Sequence, residues 1–264
     1  MSPYAGERKI MMRAAELAAK SLMRDFARVS SLAISEKAPG DFVSSADLAA
    51  QEILFAELSA AFPRHGFLLE EEAEPGATMR DARFIIDPLD GTTNFLHGIA
   101  HFAISVALEV RGEIVAGVVM NPALSEPFWA EKDEGSWLGE QRLRVSTPRN
   151  VARAVVGAGI PHLRRPGHER FLQSLAKIMP EVAGIRRLGS AALDLAYVAA
   201  SRFDVYWEIG LSPWDVAAGQ LLVKEAGGIV TTGKGTPWGL DSPDILATAG
   251  EPLHRTALGW LAQP

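Results

Sequence analysis

From about Thr147 to the C-terminus, short apolar runs alternate with amphipathic ones, and few architectures accept that rhythm. Residues 154–160 (AVVGAGI) read as a buried strand and 168–182 (HERFLQSLAKIMPEV) as a helix. Then come a strand at 184–189, a helix at 190–203, a strand at 205–210 and a helix at 214–228. Two more strands, 228–232 and 245–250, precede a terminal helix at 251–263. Strands and helices in alternation pack as an α/β sheet covered by helices.

The first half reads differently. Ile10, Ala14, Leu17, Ala18, Leu22, Phe26 and Val29 recur at helical spacing between Gly6 and Ser30. After a loop at Pro39-Gly40, a second helix is predicted from Ser45, with Leu48, Ile53, Leu54, Leu58 and Phe62 as its apolar face and Pro63 ending it. The runs 102–110 and 113–120, joined at Arg111-Gly112, predict a β-hairpin. Residues 127–145 continue as short strands with glycine turns. We therefore expect residues 1–147 to form helices plus an antiparallel sheet and 148–264 to form an α/β half. The chain shows no repeat or linker between them, which predicts one compact unit.

The formal charge is -6, so the average surface repels nucleic acid and anionic membranes. The chain has no cysteine, which excludes disulfides, zinc–thiolate sites and thiol nucleophiles. The N-terminal stretch has no continuous apolar core of a signal peptide, and no segment approaches the ~18 apolar residues of a membrane span. A cytoplasmic location is the expectation, with no membrane and no direct nucleic-acid partner.

Carboxylates gather where the chain turns. Asp87 and Asp90 flank Pro88-Leu89 directly after an apolar strand. The rigid proline can aim both side chains at one point. Hard cations such as Mg²⁺ take carboxylate, carbonyl and water oxygens, and the Leu89 carbonyl lies between the two acids. Gly91-Thr92-Thr93-Asn94 follows at once; Gly91 permits close backbone approach, and a helical turn starting there would point N–H groups at an anion. By itself DPLDG reads equally well as a plain turn.

Residues 85–95, IIDPLDGTTNF, resemble the first signature of the inositol monophosphatase family at essentially every position, and residues 211–219, LSPWDVAAG, resemble its second. FLLEEE (67–72) is similar to the acidic stretch before the first signature, and residues 189–210 are similar to the substrate-side segment. The resemblance runs from about Ala15 to Gly250. It implies a layered αβαβα sandwich of the inositol monophosphatase / fructose-1,6-bisphosphatase type, and a homodimer.

The resemblance also implies roles. Glu70, Asp87 and the Leu89 carbonyl match the ligands of one Mg²⁺; Asp87, Asp90 and Asp215 match those of a second; a third, looser ion would use Glu70 with water. Two to three ions per subunit follow, with Mn²⁺ as a substitute and Li⁺ or Ca²⁺ as inhibitors. Thr92 and Asp47 match the pair that orients the attacking water, and Asp47 also reads as helix N-terminal charge compensation. The amides of Gly91 and Thr92, beside Asp90, match the phosphate cradle. Glu208 matches the acceptor of substrate hydroxyls, and its alternative is a strand-end surface charge. Gly189, Ser190, Ala191 and Ala192 resemble the loop and helix start beside the substrate, together with Asp215. Where the family carries glycine, this chain has Leu69 followed by three glutamates, which leaves the register open by one position. Aligning Phe67-Leu68 with the family strand favours Glu70 as ligand, Glu71 as second acid and Glu72 as solvated. Lys37 matches a lysine that adds to the site's electrostatics. Trp214 is expected to pack under Asp215. Ser212 and Pro213 suit the cap and first turn of the helix carrying Asp215. His97 and His101 follow the first signature and are not read as ligands.

The implied reaction is hydrolysis of a small phosphate monoester by metal-activated water, with a phosphorylated polyol, myo-inositol monophosphate, as first expectation. Relatives with the same metal core hydrolyse fructose 1,6-bisphosphate, 3′-phosphoadenosine 5′-phosphate or histidinol phosphate. Arg186-Arg187 would suit a second phosphate or a subunit partner. A reading of another class is a regulatory protein that binds a partner, as some bacterial relatives do, with incidental phosphatase activity.

Overall fold

The computed structural model describes residues 3–29, 34–38, 41–71, 81–147, 150–161 and 166–262, with the side chains of 34–38 and 41–43 outside the described set. Helix α1 (Ala5–Phe26) is followed by a two-stranded antiparallel ribbon, β1 (Ile34–Ala38) and β2 (Asp41–Ser44), and by α2 (Ser45–Ala61). Seven strands then form one sheet in chain order. They are β3 (Gly66–Leu69), β4 (Ala82–Asp90), β5 (Ala103–Val110), β6 (Glu113–Asn121), β7 (Glu126–Glu131), β8 (Gly135–Leu138) and β9 (Gln141–Arg142), with the short helix α3 (Thr92–Leu96) between β4 and β5. Only the β3–β4 pair is parallel; the others are antiparallel. The predicted hairpin turns at Arg111 and Gly112, both at positive φ (52° and 82°), as a tight hairpin turn requires.

The second sheet has the order β11 (Gly184–Arg186), β10 (Val155–Ala158), β12 (Val205–Ile209), β14 (Asp244–Thr248), β13 (Ile229–Thr231). β10 pairs in parallel with β11 and β12, while β14 is antiparallel to both β12 and β13. The sheet is therefore mixed. Parallel neighbours are joined through helices α4 (His168–Ile178) and α5 (Ala191–Ala199), and the antiparallel β13–β14 pair needs no helical crossover.

Alternation along the strands assigns side chains to layers. Phe84 and Ile86 of β4 and Ile104, Val106 and Leu108 of β5 pack with Met11, Ala14, Ala18 and Leu22 of α1 and Ala46, Ala50, Leu54 and Leu58 of α2. Ile85, Ala103 and Ala107 face the other way, onto α5 and α6 (Pro213–Glu225), whose far side meets Tyr206 and Ala247 of the second sheet. Val156, Val205 and Trp207 then pack on Phe171 of α4 and Leu253 and Trp260 of α7 (Glu251–Leu261). Five layers result, α-β-α-β-α. α6 sits close to the first sheet because Gly117 has no side chain: a Cβ there would lie 3.0 Å from Ala218 Cα.

Two sequence expectations need correction. Leu48 does not belong to the apolar face of α2; it is 46% exposed, and the buried stripe is Ala46, Ala50, Leu54, Leu58, which is offset around the helix. α1 ends at Phe26 rather than running on to Ser30, and Ser30 lies outside the described residues. No helix among the described residues is long and apolar enough to cross a membrane.

Candidate active site

Asp87 and Asp90 are three residues apart on one strand, and in a regular strand an odd separation puts side chains on opposite faces. The ladder shows why they do not oppose here. Asp87 pairs with Ser105 and Asp90 with Ala103, so three steps on β4 match two on β5, and Pro88-Leu89 form a bulge. Ser105 and Ala103 both face the α5/α6 layer: Ser105 Oγ donates to the Trp214 carbonyl at 3.0 Å, and Ala103 belongs to the central core. Asp87 and Asp90 therefore share that face. Leu89 is driven into the opposite core, which anchors the bulge.

Each acid is held by protein donors. Asp87 Oδ1 accepts the Leu89 amide at 2.9 Å. Asp90 Oδ2 accepts Ser190 Oγ at 2.6 Å and the Ala192 amide at 2.8 Å. Glu70 follows β3, its amide donating to the Ile86 carbonyl at 3.2 Å, and the Glu71 amide donates to Gln51 Oε1 of α2 at 3.2 Å. Glu72 lies outside the described residues.

Asp47 and Asp215 are placed by one local device. Both are the third residue of a helix, and each accepts the amide of the residue before the helix: Ser44 N to Asp47 Oδ2 at 3.0 Å, Ser212 N to Asp215 Oδ2 at 2.7 Å. This is the back-reaching half of a capping box, and it fixes one carboxylate oxygen while leaving the other for a further contact. Asp47 uses that second oxygen on Thr92, whose Oγ1 lies 3.2 Å from Oδ1 and 2.9 Å from the Leu89 carbonyl. The two readings of Asp47, helix capping and partnership with Thr92, coexist on different oxygens.

The electrostatics follow from burial and crowding. Burial, then repulsion from Glu70, Asp90 and Asp215, pushes the Asp87 carboxyl well above the usual range. Burial raises Asp90 to about 6 against the hydrogen bonds from Ser190 and the Ala192 amide. Asp215 is raised by burial, then by Asp90. Asp47 is raised by burial against its Ser44 hydrogen bonds. As they stand, no three acidic, imidazole or thiol side chains among the described residues are gathered closely enough to hold an ion. The donor chemistry nonetheless fits a hard divalent cation. The set is all oxygen and mutually repelling, and among the described residues the groups that lower the pKa of Asp90 and Asp215 are a hydroxyl and amides.

Around these acids two loops interlock. Gly91 has φ 93°, and a Cβ there would lie 3.1 Å from the Gly189 carbonyl and 3.2 Å from the His101 carbonyl. Asn94 Nδ2 donates to the carbonyls of His101 and Leu188, each at 2.8 Å, and so ties the first signature to the substrate-side loop. The first N–H groups of α3, beginning at Thr92, have no partner within the helix. Ser190 is 1% exposed, and its hydroxyl is engaged with Asp90. Ala191 and Ala192 are buried in the α5/α6 layer, and Trp214 packs against it. Arg187 reaches back over Gly189, while Arg186 is exposed and donates to the Ile185 carbonyl. His97 is exposed, and burial lowers the His101 pKa. Lys37 lies on β1, and its side chain is outside the described set.

Glu208, the last residue but one of β12, lies on the same face as Tyr206, whose hydroxyl donates to it. Beneath them Asp194 of α5 is buried, and its carboxyl is raised by burial and by Glu208 and Asp90 against Arg187. Sequence reading gave Asn94 no role of its own and passed over Ser44, Asp194 and Tyr206. Ser44 could have been found from the Ser-x-x-Asp spacing that begins a helix; the others depend on contacts between distant segments.

The sequence model described as "Inositol monophosphatase family" matches residues 7–263 of this chain. The chain is 50% identical over 255 residues to the "Inositol-1-monophosphatase" of Mesorhizobium japonicum, covering 97% of this chain and 96% of that one. It is 40% identical over 242 residues to the "Nus factor SuhB" of Pseudomonas aeruginosa, covering 90% of this chain and 89% of that one. Among solved structures it is similar to the extragenic suppressor protein suhB from Bartonella henselae, with a TM-score of 0.94 and 47% identity over 98% of this chain and 99% of that chain.

Proposed function

From the premise that the chain belongs to the inositol monophosphatase family, we propose that it is a Mg²⁺-dependent phosphoric monoester hydrolase that acts on a small phosphorylated polyol, with myo-inositol monophosphate as the first expected substrate. The observation that carries this reading is the pairing of Asp87 and Asp90 on one face by the β4 bulge, beside Asp215.

In this reading Glu70, Asp87, the Leu89 carbonyl, Asp90 and Asp215 would hold the cation. When bound, Mg²⁺ supplies the positive charge that draws in phosphate and acidifies water. The chain's own groups do the rest. Thr92 Oγ1 orients the attacking water and passes a proton to Asp47 Oδ1, whose burial raises its affinity for that proton. Ser44 holds Asp47 Oδ2, so only Oδ1 takes part. The amides of Gly91 and Thr92 bind phosphate oxygens at the head of α3. Glu208 accepts hydrogen bonds from substrate hydroxyls. Ser190 serves the site through Asp90. No phospho-enzyme forms.

The substrate test is phosphate release from myo-inositol 1-phosphate, fructose 1,6-bisphosphate, 3′-phosphoadenosine 5′-phosphate and histidinol phosphate, each with Mg²⁺ and with chelator. A Mg²⁺-dependent preference for the first supports the reading; no release from any of them overturns it. The 40% identity to a protein named Nus factor favours a second reading, in which the chain also binds a macromolecular partner. A pull-down with Asp87→Asn separates the two, since partner capture would survive the loss of hydrolysis.

A further inference from the structure

One side of the Glu208 carboxylate lies against bare backbone. Gly159 follows β10 directly and continues its pairing with β12, its amide donating to the Trp207 carbonyl at 3.1 Å. A Cβ at residue 159 would lie 1.7 Å from the Glu208 Cδ and 1.9 and 2.2 Å from its two carboxylate oxygens. The carboxylate thus occupies the volume that any side chain at 159 would fill. Carbon contacts need about 3.5 Å, so even alanine would displace the carboxylate by roughly 2 Å. Gly159 does not need glycine for its own backbone, because its φ is outside the left-handed region. Its lack of a side chain matters for its neighbour alone. On the other side, Tyr206 is fully buried, two residues back on the same face of β12, and its hydroxyl donates to Glu208 Oε2. A bare backbone and a buried phenol together set where this carboxylate stands.

We propose that Gly159 and Tyr206 are positioning residues for Glu208, and that residue 159 is thereby a specificity-determining position for the hydroxyl-bearing part of the substrate. This rests on the reading of Glu208 as the polyol acceptor. An acceptor displaced by 1 to 2 Å loses its alignment to two neighbouring hydroxyls, and a misplacement of about 1 Å can cost on the order of 10²-fold in rate. The phosphate end, held by the first signature, is untouched. A side chain at 159 therefore acts on the alcohol and spares the phosphoryl chemistry.

The test compares myo-inositol 1-phosphate with p-nitrophenyl phosphate, which has no hydroxyl groups, at saturating Mg²⁺. The enzymes are wild type, Glu208→Ala, Gly159→Ala, Tyr206→Phe and the double variant Gly159→Ala/Glu208→Ala. We expect Gly159→Ala to lower kcat/KM for the polyol phosphate roughly 10- to 100-fold, chiefly through KM, and to change the aryl phosphate by less than about threefold. Tyr206→Phe should move in the same direction by a smaller factor. The double variant should be no worse than Glu208→Ala alone, because both substitutions remove one contact. If Glu208→Ala is selective for the polyol but Gly159→Ala and Tyr206→Phe are not, the proposal fails and the role of Glu208 stands. If Glu208→Ala weakens both substrates equally, that role fails and the proposal with it. Equal loss on both substrates in Gly159→Ala, with a lowered Tm, would make residue 159 a matter of packing and overturn the proposal.

Discussion

Asp90→Asn should make the metal-free protein more stable while abolishing its reaction. Asparagine has the same shape and keeps an oxygen for Ser190 Oγ and the Ala192 amide. The charge is lost, and the other carboxylate oxygen becomes an NH2 donor. The Asp90 carboxyl stands at about 6 in the fold against 3.8 for the ordinary group. Because the folded value is the higher one, ionisation disfavours the fold. The cost is absent below about pH 4, grows between 4 and 6, and is fully present above 6. That gap corresponds to roughly 3 kcal/mol. The side chain is partly exposed and shares its field with Asp87 and Asp215, so we take about half, or about 1.5 kcal/mol, as what the substitution releases. For a chain of this size that is a rise of roughly 3 to 6 °C in Tm. The assay is thermal unfolding in chelator at pH 7.5 and 4.5, where the gain should shrink to about one third. In Mg²⁺ at 100 times its Kd the wild type gains about 2.7 kcal/mol, so the order should reverse if the variant has lost its ion. A variant that melts at or below wild type in chelator at pH 7.5, or an order that does not reverse in Mg²⁺, would refute the reasoning.

Three further variants test how the site is held. Ser44→Ala should cost about 1 kcal/mol in chemical denaturation as a lost helix cap, whereas Asp47→Asn should lower kcat on the order of 10²- to 10⁴-fold at saturating Mg²⁺; comparable kcat in wild type and Asp47→Asn would remove Asp47 from proton transfer. Gly117→Ala should destabilise by about 1 to 3 kcal/mol, because its Cβ meets α6 backbone at 3.0 Å, and calorimetry showing no loss would mean that the helix can yield there.

Much of this architecture could be read along the chain. The hairpin at Arg111-Gly112, the alternation after Thr147 and the close spacing of the acids at 87 and 90 are local patterns, and local patterns survive in a linear reading, whereas Asp215 entered only through the family resemblance. What was lost is what depends on rotation or distance. Leu48 looked like core because helical spacing gives a face without saying which way it points; the sheet lies on the side of Ala46 and Ala50. Ser190 was placed in the substrate-side segment, but its bond to Asp90, which spans 100 residues, has no trace in the local sequence. Gly159 carried no signal, since the carboxylate that needs its bareness lies 49 positions on (159 to 208).

The bulge at Pro88-Leu89 has a consequence for how this gene can change. Strand side chains obey a parity, and the bulge shifts that parity by one so that two acids fall on one side. Point substitutions at Leu89 leave the count intact. Loss of a single codon at 88 or 89 removes the extra residue of the bulge and leaves the acids two apart, and a regular strand then keeps both on one face. The bulge and the three-residue spacing therefore go together, since losing either one alone would split the acids across the sheet.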